Sequence, residues 1–174
     1  LHLSKIIFLL LVFLLSPAFA EIESTECKIL IKENQCMEAI RVCKNEAEQG
    51  DAKAQTFLGF LYSGTSHGDF RKNYKESFRW INLAAEQDFT KAQLAMAEMY
   101  MGGEVVPENA KKAKTWYEKA AKKGNLDGIN GLARLYRYGT GVRKDYEKAF
   151  ELYQQAALQN HTRSQVGVGL SYRD

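Results

Sequence analysis

Three cysteines and, beyond the first twenty residues, two histidines are the side chains of this sequence best suited to metal or nucleophilic chemistry. Cys27, Cys36 and Cys43 sit in the first quarter of the chain, with His67 and His161 far downstream. Zinc sites built from such residues need paired spacings such as C-x-x-C or H-E-x-x-H, which place two ligands on one face of a turn or helix. Neither occurs here. Nor do the phosphate-cradling G-x-x-x-x-G-K, a nucleophile elbow, or the S-x-x-K of serine beta-lactamases. Gly139-Thr140-Gly141 is short and glycine-rich enough to approach a phosphate, but it falls at a turn that recurs along the chain, where glycine serves the backbone. Lys111-Lys112 and Lys122-Lys123 read as solvated faces. Asn160-His161-Thr162 fits a glycosylation acceptor and equally fits the recurring turn. These residues predict no catalytic centre, no cofactor and no metal site.

Charge narrows the partners further. The formal net charge is +3, and without residues 1–20, which hold one lysine and no acid, 23 basic residues face 21 acidic ones. Nucleic-acid binders concentrate basic charge on one face, so a nucleic-acid partner is not expected. Hydrophobic residues make up 45% of the chain and prolines number two. That composition supports a packed core with long stretches free to be helical.

The elements that must position these residues follow from self-similarity. Tyr62, Tyr100, Tyr136 and Tyr172 recur at spacings of 38, 36 and 36. Four positions before each stand Leu58, Met96, Leu132 and Val168, followed at once by Gly59, Ala97, Ala133 and Gly169. A large apolar residue, a tiny one and an aromatic three later make one helical face with a notch in it. A second helix opens at Ser77, Ala113 and Ala149, carries Trp80, Trp116 and Leu152, then Ile81, Tyr117 and Tyr153, and ends in alanine pairs. Asp88, Gly124 and Asn160 follow, residue types that tolerate the left-handed backbone ending a helix. Glycine-bearing loops join the two helices, the first being two residues longer. Units are thus expected at 51–88, 89–124 and 125–160. Residues 21–50 form an N-terminal capping segment that supplies a second helix only, and residues 161–174 a first helix only. A single such unit cannot bury its apolar face, but stacked units can.

In Ala54-x3-Leu58-Gly59-x-Leu61-Tyr62, in Gly139-Thr140-Gly141-Val142-x2-Asp145-Tyr146-x-Lys148-Ala149 and in Lys119-Ala120-Ala121-x2-Gly124, the chain resembles the SEL-one-like repeat family, kin of the tetratricopeptide repeats. The resemblance covers roughly residues 37–174. It implies an all-α, right-handed solenoid whose concave face is lined by the first helix of each unit. It also implies an adaptor that binds a protein or peptide, including secreted bacterial forms. Some secreted relatives with paired cysteines in every repeat are linked to beta-lactam binding or hydrolysis. The cysteines of those proteins lie at unit junctions, and the junction 46–54 here has none.

Residues 1–20 read as an export signal. Lys5 precedes an unbroken apolar run from Ile6 to Leu15, Ser16 and Pro17 break it, and Ala18 and Ala20 are small at the cleavage positions. The run is too short to span a bilayer, which needs about 20 residues, so no membrane span is expected after cleavage. In an oxidising compartment the cysteines can pair. Cys36 and Cys43 lie about 10 Å apart along one helix, beyond disulfide reach. Cys27 with Cys43 is the favoured bridge, leaving Cys36 odd.

By resemblance to tetratricopeptide grooves, the concave positions are Lys53, Thr56, Phe60 and Ser63, then Lys91, Leu94, Glu98 and Met101, then Asp127, Asn130, Arg134, Arg137 and Tyr138. The third set adds two arginines and a tyrosine, types favoured at interaction hot spots. It therefore points to a partner with acidic groups. The competing expectation is that the two arginines only cover neighbouring apolar surface.

Overall fold

The structure is a computed structural model that describes residues 36–64 and 72–171, apart from the side chains at 36, 37 and 39. The export segment, Cys27, His67 and Tyr172 lie outside the described residues. Within them the chain forms eight helices and no strand: α1 (Cys36–Glu48), α2 (Ala52–Ser63), α3 (Tyr74–Glu86), α4 (Thr90–Gly102), α5 (Ala110–Lys122), α6 (Leu126–Tyr138), α7 (Tyr146–Ala157) and α8 (Thr162–Ser171).

Most helix starts have a local cause. The side chains of Asp51, Asn73, Asn109, Asn125 and Asp145 accept a hydrogen bond from the backbone N–H three residues on, satisfying a donor that the first helical turn leaves free. α4 starts at Phe89 with no side-chain cap. Second helices end on left-handed residues at Asp88 (φ 67°), Gly124 (φ 74°) and Asn160 (φ 63°). Asp and Asn are among the few residues with a side chain that accept this conformation. The repeated tyrosines have a backbone role as well. The carbonyls of Tyr62, Tyr100 and Tyr136 accept from the N–H groups of Asn73, Asn109 and Asp145 at 2.8, 2.8 and 2.9 Å. Each bond clasps the end of a first helix to the start of the second.

Packing runs along the chain, with the principal contacts always between consecutive helices, from α1 on α2 through α7 on α8. The core is one seam of small and large residues. Ala84, Ala92, Ala97, Ala113 and Ala120 are fully buried and let Met96, Trp116 and Tyr117 fill the space between helices. At the N-terminal end Cys43 is fully buried, disulfide-bonded, and packed with Ala47, Leu58 and Trp80.

One contact between units is size-matched where the second helix carries a tyrosine. Fourteen positions separate Cys43 from Phe57, Ile81 from Ala95, Tyr117 from Gly131 and Tyr153 from Gly167. A Cβ built on Gly131 would meet the Tyr117 ring at 2.4 Å, and one on Gly167 the Tyr153 ring at 2.4 Å. Where the second helix carries a tyrosine, the next first helix gives up its side chain entirely. The sum of volumes is what close packing constrains.

Candidate functional site

The size-matched contact shapes the concave face. Because Gly131 and Gly167 have no side chain, the rings of Tyr117 and Tyr153 pass between first helices, and their hydroxyl ends reach the groove side. The Tyr117 hydroxyl donates to Glu98 Oε1 at 2.6 Å. Burial first, and then that carboxylate, push its phenol well above the ordinary tyrosine value. Burial likewise raises Tyr153, opposed by Arg137 and Arg134. Units 2 and 3 therefore place phenols at the groove, while the unit containing Ile81 does not.

Around these phenols lies a concavity of about 640 Å³ spanning α4, α6 and α8, whose lining includes Glu98, Asp127, Arg134, Arg137, Tyr138 and Arg163. Three guanidinium groups face two carboxylates, and both carboxylates are engaged. Glu98 is held by Tyr117. Asp127 lies 3.2 Å from His161 Nε2 and 3.4 Å from Arg163 Nη1. Arg134 is exposed and makes no ion pair among the described residues. Arg137 is only 9% exposed and lies 5.5 Å from the centre of the Tyr138 ring. Tyr138 itself is exposed.

Asp127, His161 and Ser164 form a chain that has the residue types of a hydrolytic triad. His161 Nδ1 is 2.8 Å from Ser164 Oγ, and Asn130 Nδ2 donates to the same oxygen at 3.0 Å. The geometry does not serve nucleophilic attack. Ser164 is 0% exposed, and a substrate carbonyl could not reach its oxygen. The chain instead fastens α8 to α6 through its polar side chains. Sequence reasoning did not find it, since Asp127 and Asn130 belong to a first helix and their partners to the next unit.

A second concavity, of about 580 Å³, lies over α2 and α4, lined by Phe60, Leu94, Ala95, Met99 and Val105 with Lys72 and Lys91 among its polar residues. Met101 lines a smaller space with Arg134 and Tyr138. Lys53 is exposed and lines none of these concavities. The structure thus brings Phe60 and Lys91 together, and separately Arg134, Arg137 and Tyr138, and leaves Lys53 apart. Among the described residues no cluster of His, Cys, Asp and Glu could hold a metal ion. No described helix is long and apolar enough to cross a membrane.

Comparison with known proteins places this geometry in context. The sequence matches the Sel1 repeat over three successive segments, residues 52–89, 90–125 and 126–161. No curated protein matches it. Among solved structures it is similar to a protective antigen present in uropathogenic Escherichia coli strains and displaying an SLR fold. The two share 34% identity at a TM-score of 0.72, over 76% of this chain and 28% of the antigen. It is also similar to a Sel1 repeat protein from Oxalobacter formigenes, with 28% identity and a TM-score of 0.77 over 93% of this chain and 68% of the other. Cysteine rich protein B of Helicobacter pylori shares the fold at 20% identity and a TM-score of 0.56, over 75% of this chain and 92% of that one. The chain therefore spans little more than a quarter of the E. coli antigen.

Proposed function

The chain belongs to the Sel1 repeat family, whose repeats generally mediate protein interactions, and from that premise we propose that it holds a segment of another protein against its concave face, with an acidic group of the partner at Arg134. The observation that carries this reading is the state of charge in the groove. Both carboxylates there have partners, while the exposed Arg134 guanidinium makes no ion pair with either of them. A planar guanidinium makes paired hydrogen bonds to a carboxylate. Tyr138 adds a rigid, exposed aromatic surface next to it.

Arg134 and Arg137 differ in exposure. Arg134 is free to meet a partner. Arg137, largely buried against Tyr138, packs as well as lines. Partners captured from the exported fraction by immobilised protein are to be titrated calorimetrically against the parent and Arg134→Ala. Loss of a charge-assisted pair is expected to weaken binding by about tenfold or more with an unchanged melting temperature. Parental affinity in Arg134→Ala would remove the groove from consideration.

The same reading places the protein outside the cytoplasm. Residues 1–20 supply the export signal, Glu21 begins the mature chain, and Cys27 is the partner of Cys43. Cys43 is already committed to a disulfide, and helical spacing separates it from Cys36 by about 10 Å. Intact mass and non-reducing peptide mapping of exported protein check both points. The expected mass lacks residues 1–20, and the expected linked peptide joins 27 to 43. A retained leader, or a bridge to Cys36, would refute the corresponding assignment.

A further inference from the structure

The concave groove changes character along its length. Over α2 and α4 it is apolar, with Phe60, Leu94, Ala95, Met99 and Val105 in its wall. Over α4, α6 and α8 it carries the three guanidinium groups. Leu94 and Glu98 line both parts, so the two form one trough with an apolar end and a cationic end, and Glu98 stands where they meet.

Resting on the reading of Arg134 as a carboxylate site, we propose that this trough takes a short extended segment of a partner protein carrying a bulky apolar side chain and, about three residues away, a carboxylate. The apolar side chain seats between Phe60 and Leu94, and the carboxylate lies at Arg134. The separation follows from the fold. The segment must cross α4, a helix with its side chains is about 10 Å across, and an extended chain advances about 3.3 Å per residue. The trough is open and crosses consecutive first helices, a shape that suits a length of chain more than a small enclosed molecule. Glu98 sets a third condition. Tyr117 occupies its Oε1, and its other oxygen can accept a backbone N–H from the segment. A second acid placed midway would be repelled.

Fluorescence polarisation with labelled, end-blocked octapeptides in a glycine–serine background tests this on the intact protein. One peptide carries a leucine and an aspartate three residues apart, one the aspartate alone, and one the same two residues adjacent. The spaced peptide is expected to bind about tenfold tighter than either of the others, the gain that burying one large aliphatic side chain confers. Val105→Asp, on the loop after α4, is expected to abolish that gain and leave the aspartate-only peptide unchanged. Phe60→Ala should do the same, with thermal melts confirming that each variant is folded.

Equal binding of the spaced and aspartate-only peptides would overturn the two-part trough while leaving the arginine reading intact. Displacement of the spaced peptide by dodecanoate at equal concentration would overturn the choice of a peptide. Aspartate-only binding that survives Arg134→Ala, or no binding by any peptide, would remove the arginine reading and the inference with it.

Discussion

Gly59 and Gly169 occupy the same position in their units and stand in opposite surroundings. A Cβ on Gly59 would lie 2.5 Å from Ile81 Cγ1 and 3.2 Å from the Ser77 carbonyl oxygen. Ile81 is fully buried, so it has nowhere to retreat. The same atom on Gly169 would meet nothing within 4 Å. The notch expected at both positions is therefore filled at the first and open at the second, because no following helix among the described residues covers α8 there. Gly59→Ala should lose about 1–3 kcal/mol by overpacking. Gly169→Ala should be neutral or gain up to about 1 kcal/mol, since alanine is the better helix former. Urea titrations of the two variants check the contrast. Equal effects would mean that the helix hairpin is not closed at Gly59.

At the scale of elements, much was legible because the repeat prints the same chemistry at each boundary. The left-handed terminators Asp88, Gly124 and Asn160 could be read from residue type and register, and all three have positive φ. The glycine-bearing loops and the paired helices could be read in the same way. What escaped was matching across units. Gly131 and Gly167 look like weak points inside helices until their contacts with Tyr117 and Tyr153 are seen. A compensation spread over fourteen residues has no period of its own, so periodicity could not expose it. The burial of Arg137 escaped for a related reason. Its position on the first helix is right for the groove, but whether an arginine lines or packs depends on the neighbouring Tyr138 and on Tyr153 of the next helix. Lys53 has the register of the groove positions and lines none of the three concavities described above.

The whole molecule inherits a linear logic from its contacts. Each helix packs chiefly on its chain neighbours, so stability is expected to be a sum of local terms that can fail locally. The two ends of the trough then depend on different parts of the array. Its apolar end is built on α2 and α4, and its cationic end needs α8. Among the described contacts that hold α8 are Tyr153 packed over Gly167, Val168 against Ala133 and Ala149, the Asp127–His161–Ser164–Asn130 chain, and Arg163 on Asp127. Tyr153 is 3% exposed, and an aromatic-to-alanine change at such a site costs about 3–5 kcal/mol. In Tyr153→Ala that loss should fall on α7 and α8. Native-state hydrogen exchange is expected to quicken there by about a hundredfold or more, in line with that cost, while amides of α2 and α3 keep their parental rates. The aspartate-only peptide should then lose its affinity before the apolar end is disturbed. Uniform acceleration across all helices would instead show that the array opens as one unit, and that the two ends of the trough cannot be uncoupled.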